Sequence, residues 1–240
     1  KEPNQPKRVV MLDTQFRMHR VLGEFVSQQF YVAHNLPAVK TGRKDEDFIH
    51  NVPDYENLVC GWIDVPVKEG RSKPVDGSLG RVVEAQKIAQ EAKRILNACP
   101  NLSVGVISFY RGQVDLILES LVDQGIAERV DGDINIKTEY RALASGGTRL
   151  RVGSVDAFQG LEFDVVLLSL VRTGMPDIDP DNDDSLTRAY GFLRLDNRLN
   201  VAMSRQHRLL IVVGEYAFAK HVATAKAVPA LAAFAELCEG

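Results

Sequence analysis

The sequence predicts an α/β fold built on a parallel sheet with helices on both faces, and three observations carry that prediction. Residues 102–108, 150–155, 165–170 and 209–213 are short, continuous apolar runs rich in β-branched residues. Strands that are buried on both faces read this way, whereas a strand with one wet face would alternate. Stretches with helical spacing stand between several of these runs. Polar clusters fall at the strand ends, and in open parallel sheets ligands bind beyond the carboxyl ends.

In chain order, residues 9–12 form a short apolar run expected as a buried strand. Met18, Leu22, Phe25, Val26 and Phe30 recur at helical spacing and predict a helix over 18–31. Residues 34–57 carry charge, Asn and Pro without a period and read as a loop or small insertion. A strand follows at 58–67, ended by Pro66 and KEGRSK. An amphipathic helix is expected over 80–98, with Val83, Ala85, Ile88, Ala92, Ile95 and Leu96 near one face and Asn97 and Pro100 as its stop. A helix over 112–124 follows the strand at 102–108. Residues 125–148 are polar and glycine-containing, again a loop or insertion. Residues 173–190 read as an acidic loop, and its run 177–184 as a solvated one. A helix near 193–206 then feeds the strand at 209–213. The alanine-rich tail is expected to add one or two packing helices within 215–240. The whole of 1–240 reads as one domain, with 34–80 and 125–148 as its loop regions.

Composition bounds the function. With 45% hydrophobic and 25% charged residues in 240, the chain can bury a sizeable core and has no disorder-like bias. No apolar run approaches the roughly 18 residues of a membrane span. The polar beginning, KEPNQPKR, lacks the apolar stretch of a secretory signal and reads as a cut within a longer chain. Cys60, Cys99 and Cys238 are far apart and form no CxxC pair, so neither a zinc site nor a disulfide framework is expected, and the setting is taken as reducing and cytoplasmic. His19, His34, His50, His207 and His221 are scattered, and none reads as a metal ligand. A formal charge of −3 provides no general basic field, so any nucleic acid must be held by a few local contacts.

Four segments carry chemistry. LDTQFRMH (12–19) offers an amide, a ring and a guanidinium in succession, at Gln15, Phe16 and Arg17. SFYRGQ (108–113) follows a strand. VGSVDAFQGLEFDVVLLSLVR (152–172) joins two buried strands by a turn holding Gln159, Gly160 and Glu162. GFLRLDNRLNVAMSRQHRLLIVVG (191–214) is an Arg- and Asn-bearing helix leading into a strand. Asp156 and Asp164 are expected to hold the turn rather than to act on a ligand.

These four segments, in this order, resemble the C-terminal motor domain of superfamily 1 helicases of the 5′-to-3′ branch, and most of all the nonsense-decay and immunoglobulin-switch-region helicases. That family carries QYRMHP, VDxFQGxExD and RRxNVAxTRA, and the matches run from about residue 9 to 214. The resemblance implies a RecA-like (P-loop NTPase-like) domain lacking a P-loop of its own. It implies two arginine fingers, Arg17 and Arg205, which reach the γ-phosphate across an inter-domain cleft. A planar, bidentate guanidinium matches the charge spread over phosphoryl oxygens in the transition state. Phe16 stands where the family has a tyrosine whose ring stacks on the adenine. Glu162 matches a glutamate that contacts the ribose, Gln159 and Gly160 shape its turn, and Gln15 and Arg198 complete the expected nucleotide contacts. For nucleic acid the implied positions are Ser108, Ser154 and Arg172, at strand ends where short hydroxyls and exposed amides grip phosphates without reading bases; Tyr110 either assists there or packs its ring under the loop. Departures from the family are Arg20 for the proline after MH, Asn197 for the first arginine of the RR pair, SFY for TPY, and Arg81 for an asparagine before Glu84 and Ala85.

The sequence holds no GxxxxGK[ST] and no Gly-Lys dipeptide. Its one Asp-Glu pair, Asp45-Glu46, follows no apolar strand. Without a phosphate cradle and a magnesium-holding carboxylate, the chain alone is expected not to hydrolyse ATP. ATP and Mg²⁺ would be shared with an upstream RecA-like domain of the same polypeptide. The partners expected are that domain and single-stranded DNA or RNA, with no membrane. The alternative is a RecA-like module that binds protein or nucleic acid without catalysis.

Overall fold

In the computed structural model, which describes residues 13–174 and 181–239, two short strands lead the chain. β1 (Thr14–Gln15) precedes helix α1 (Arg20–Phe30) and pairs in parallel with β2 (Lys40–Thr41). The strand expected at 9–12 lies outside the described residues. Five parallel strands then form the central sheet: β3 (Cys60–Asp64), β6 (Val104–Ser108), β9 (Leu150–Ser154), β10 (Phe163–Ser169) and β11 (Gln206–Gly214), in the order β3-β11-β10-β6-β9. Before β6 lie the hairpin β4 (Lys73–Val75) and β5 (Ser78–Gly80) and helix α2 (Val82–Ala98).

The continuous apolar runs become strands because the sheet is covered twice. In β10, Val166, Leu168 and the following Leu170 face one core and Val165 and Leu167 the other, all at 0% exposure. Each such side chain contributes about 1.5–3 kcal/mol by leaving water. Helix α2 and helix α3 (Arg111–Asp123) cover the Val165 face. The opposite face packs against α1, α5 (Asp183–Tyr190), α6 (Asp196–Met203) and three tail helices, α7 (Tyr216–Ala219), α8 (Val222–Ala227) and α9 (Pro229–Leu237).

Several elements differ from the sequence reading. The loop expected at 34–57 contributes β2, drawn in by hydrogen bonds from Lys40 N to Asp13 O (2.7 Å) and from Gly42 N to Gln15 O (2.8 Å). The region 125–148 contains an antiparallel hairpin, β7 (Ala127–Val130) with β8 (Asp133–Ile136), and the single turn α4 (Thr138–Arg141). The acidic loop at 173–190 ends in a helix, because Asn182 caps the amide of Ser185 (3.0 Å) and Asp183 and Asp184 lie in the first turn, where carboxylates suit the helix dipole. Residues 175–180 of that region are outside the described residues. The tail forms three helices, one more than expected, because Pro229 restarts the chain at the first position of α9.

Candidate functional site

Two groups of polar residues occupy opposite edges of the sheet. Glu162 directly precedes β10, and Arg205 directly precedes β11, so the cleft that holds both lies at the amino ends of these strands. This corrects the expectation that all the polar clusters lie at carboxyl ends. The cleft has a volume of about 480 Å³, and its wall includes Gln15, Phe16, Arg17, Glu162, Ser204 and Arg205.

Local hydrogen bonding explains how the wall is built. The Gln15 side-chain oxygen accepts from the amides of Arg17 and Met18 (2.8 Å each), while its NH₂ donates to Met18 O (3.0 Å) and to Thr41 Oγ1 (2.6 Å). These bonds tie the Gln15 side chain to the 15–18 turn and to Thr41 and so set the positions of its neighbours in the wall. Arg17 leaves that turn to meet Glu162 Oε1 through Nε (2.6 Å) and Ser204 O through Nη1 (3.0 Å). Arg205 donates from Nη2 to Ser204 Oγ (2.9 Å) and from Nε to Val201 O (3.0 Å). Both guanidinium groups thus converge on one serine.

The electrostatics are unbalanced. The charged side chains of the wall are Arg17, Arg205 and one carboxylate, Glu162. Burial and the neighbouring Arg17 charge pull the Arg205 guanidinium below its usual range, although a guanidinium remains charged at neutral pH. Burial opposes ionisation of Glu162, but hydrogen bonds from His207 and Arg17, with the Arg17 charge, hold it below the ordinary glutamate range. His207 Nε2 lies 2.8 Å from Glu162 Oε2. Sequence reasoning passed over His207. No periodic signal marks it: the register of β11 against β10 is irregular at this point, and His207 and Arg208 are both half-buried, so alternation does not single out His207.

Phe16 is 62% exposed, with its ring lying against the backbone of Gly42, whose added Cβ would stand 2.3 Å from Phe16 Cε1. The motif pointed to the ring, but nothing in the sequence marked Gly42 as the ledge beneath it. Gln159 and Gly160 do not line the cleft; Gly160, at φ +80°, turns the chain so that Glu162 can reach Arg17. Arg198 also lies away from it. Arg198 Nη2 pairs with Asp156 Oδ2 (2.6 Å), and its guanidinium carbon stands 4.7 Å from the Phe192 ring centroid. Asp164 serves as a tie, accepting from Ser103 N (2.9 Å), Ser103 Oγ (2.8 Å) and Arg208 Nε (2.9 Å).

At the carboxyl edge, Ser154, Ser108 and Ser169 stand in register across β9, β6 and β10. Ser108 and Tyr110 are buried, and Ser108 Oγ accepts from the Tyr110 amide (3.3 Å), so neither is an open ligand-facing group. Arg172 and Ser154 are part-exposed. Arg172 donates from Nε to Tyr110 OH (2.8 Å) and from Nη1 to Arg188 O (3.0 Å). Gly191, at φ +53°, admits the Arg172 tip, since a Cβ there would lie 2.5 Å from Nη2. The structure therefore divides the predicted residues between two edges: Gln15, Phe16, Arg17, Glu162 and Arg205 line the cleft, whereas Gln159, Gly160 and Arg198 lie outside its wall.

Residues 2–217 match the family model described as "AAA domain". The chain belongs to the AAA domain family. The domain is 28% identical over 235 residues to the putative helicase MOV-10 of Gallus gallus, covering 90% of this chain and 22% of that protein. It is 32% identical over 209 residues to the regulator of nonsense transcripts 1 homolog of Neurospora crassa, covering 85% and 16%. A third relative is the DNA polymerase alpha-associated DNA helicase A of Saccharomyces cerevisiae, 30% identical over 229 residues, covering 87% and 28%. The domain thus spans less than a third of each of these relatives. With the ordered motifs and the parallel sheet, it is a C-terminal motor domain of the superfamily 1, nonsense-decay helicase type. Among the described residues, no helix is long and apolar enough to cross a membrane.

Proposed function

We propose that this domain is the second half of an ATP-driven motor on single-stranded nucleic acid, supplying two arginine fingers, Arg17 and Arg205, to a nucleotide held at an inter-domain cleft. The observation that carries the reading is the convergence of both guanidinium groups on Ser204 in a cleft with one carboxylate. Like charges brought together cost energy until an anion arrives, and a γ-phosphate is the anion whose charge is spread to match them. The Phe16 ring on Gly42 suits a base, and Glu162 suits the hydroxyls of a ribose. Among the described residues the cleft wall has no further carboxylate, so Mg²⁺ would be held by residues of the upstream domain and by the phosphates. That ion would neutralise charge on the transferring group; the part of this domain is to orient the sugar and base and to place two fixed cations against the phosphate.

In the absence of nucleotide, Glu162 and Ser204 keep Arg17 in place. A ribose that engages Glu162 competes for the same carboxylate and frees Arg17 toward the phosphate. At the opposite edge, Arg172 and Ser154 offer phosphate contacts without base readout, as suits a protein that must step along a strand. A non-catalytic scaffold would have no use for the second buried-edge cation in the cleft.

The test is ATPase activity, with and without single-stranded DNA or RNA, of this chain and of the polypeptide extended upstream by about 300 residues, a length set by typical domain sizes. Activity only in the longer polypeptide, lost in Arg17→Ala and Arg205→Ala, is the expected result. A folded longer polypeptide with an intact Walker loop and no activity under any condition would sink the reading.

A further inference from the structure

Behind the carboxyl edge lies a closed polar network that the proposed contacts do not use. Arg81, Glu84, Gln113 and Ser169 are each no more than 1% exposed. The Arg81 guanidinium donates to the carbonyls of Val65 (2.7 Å), Pro66 (2.9 Å) and Gly70 (2.8 Å) and meets Glu84 Oε2 at 3.3 Å. Its backbone amide donates to Gln113 Oε1 (2.7 Å), whose Nε2 donates to Ser169 Oγ (3.1 Å). Ser169 in turn donates to Glu84 Oε1 (2.5 Å), and that same oxygen accepts the backbone amide of Val171 (2.9 Å). Burial pushes the Glu84 carboxyl up, and these hydrogen bonds with Arg81 oppose that push.

Such a network is expensive, since buried ions are seldom retained for stability when apolar side chains would pack as well. What it holds is unusual. Val171 has φ +68°, a left-handed conformation that a β-branched residue rarely adopts. Arg172 N donates back to Leu170 O at 2.8 Å, closing a three-residue γ-turn of the strained, positive-φ kind around Val171. The turn reverses the chain where β10 ends and sends Arg172 to Tyr110 and to the last turn of α5. Without it the chain would leave the sheet along the strand direction and Arg172 would lie elsewhere. The buried carboxylate is therefore spent on one strained peptide, next to the one arginine of this edge expected to grip phosphate.

We infer that Glu84 is a positioning residue for nucleic-acid contact: by clamping the strained Val171 peptide it fixes Arg172 at the strand edge. The inference rests on the reading of that edge as the nucleic-acid side. It assigns to Glu84 and Val171 a part in strand affinity rather than in nucleotide chemistry, which takes place at the opposite end of β10.

The experiment uses the full-length protein, with oligodeoxythymidine and oligouridine as probes and the probe concentration for half-maximal ATPase as the readout. Val171→Gly relieves the strain at φ +68° and, because glycine admits many other conformations, loosens the turn; it also empties a side chain that is 0% exposed in the core, so some stability is lost. We expect a lowered melting temperature in a variant still folded at the assay temperature, with ATPase at saturating strand staying within about twofold. Half-saturation should rise about tenfold, the scale of one lost charge-assisted hydrogen bond. Glu84→Gln, which retains an acceptor for Val171 but sets an amide against Arg81, should shift the same way if it folds. Arg172→Ala alone should weaken the strand by a similar factor, and Val171→Gly should add little on top of it, because both act through one contact. Unchanged half-saturation in Val171→Gly, or full additivity with Arg172→Ala, overturns the positioning role while leaving the nucleic-acid reading intact. If Arg172→Ala has no effect on the strand, the reading of the edge fails and the positioning role fails with it.

Discussion

Replacing Gly42 with alanine should separate nucleotide affinity from folding. The Cβ of the new residue would stand 2.3, 2.7 and 2.8 Å from three carbons of the Phe16 ring, well inside van der Waals contact. One partner must move, and it is the ring, because Phe16 is 62% exposed and little holds it apart from this ledge. Gly42 is not at positive φ, so alanine fits the backbone, and stability should change by no more than about 0.5 kcal/mol. If the ring stacks on a base, its displacement forfeits about 1–3 kcal/mol, or about 5- to 150-fold in nucleotide affinity. The assay is the ATP concentration for half-maximal hydrolysis by the protein carrying its upstream domain, checked by direct binding of a fluorescent ATP analogue. GTP should suffer alongside ATP, since both bases present a π-face. Phe16→Ala should show the same loss, and Gly42→Ala should add nothing to it. An unchanged half-saturation in a folded Gly42→Ala protein would refute the shelf.

Arg17→Ala and Arg205→Ala should each lower kcat by about a thousandfold or more, with smaller effects on ATP half-saturation, as stopped ATPase assays would show. Their shared tie to Ser204 predicts that the double variant is less than additive. Burial opposes ionisation of Asp164, yet bonds from Ser103 and Arg208 hold it below the ordinary aspartate range. Its stabilising contribution is therefore present above the unfolded value of about 3.9 and lost as pH falls through the lower folded value, and Asp164→Asn should flatten that acid slope in thermal melts. Gly191→Ala meets both a left-handed φ of +53° and the Arg172 tip at 2.5 Å. It should cost about 1–3 kcal/mol by denaturant melts and weaken strand-stimulated ATPase at the same time.

The sheet was legible because its strands are dry on both sides, and continuous apolar runs such as 165–170 have few other uses. The gathering of Arg17, Arg205 and Glu162 in one cleft was legible for a different reason: the motifs that carry them are dense in charged and polar side chains and keep their order. What stayed hidden is held by geometry rather than by pattern. A two-residue strand such as β2 has no period to read, and Gly42 matters because of what lies above it. Glu84 looked like one more polar residue in an amphipathic helix, since burial of a carboxylate depends on partners brought from β10 and α3. The acidic stretch shows the opposite failure. Asn182 followed by Asp183 and Asp184 is a readable helix start, masked by the charge around it.

Strand β10 carries Glu162 at one end and Val171 and Arg172 beyond the other. Its seven residues span about 23 Å, a length fixed by strand geometry. It lies between β11 and β6, hydrogen-bonded to both, and packed above and below, so it can neither stretch nor buckle. On the proposed function, a displacement at the Glu162 end would be carried along the strand toward Arg172 with little loss. On that same reading, this domain does not deform to take a step; it swings as a stiff lever, and the compliance of the machine resides at its hinge with the other half.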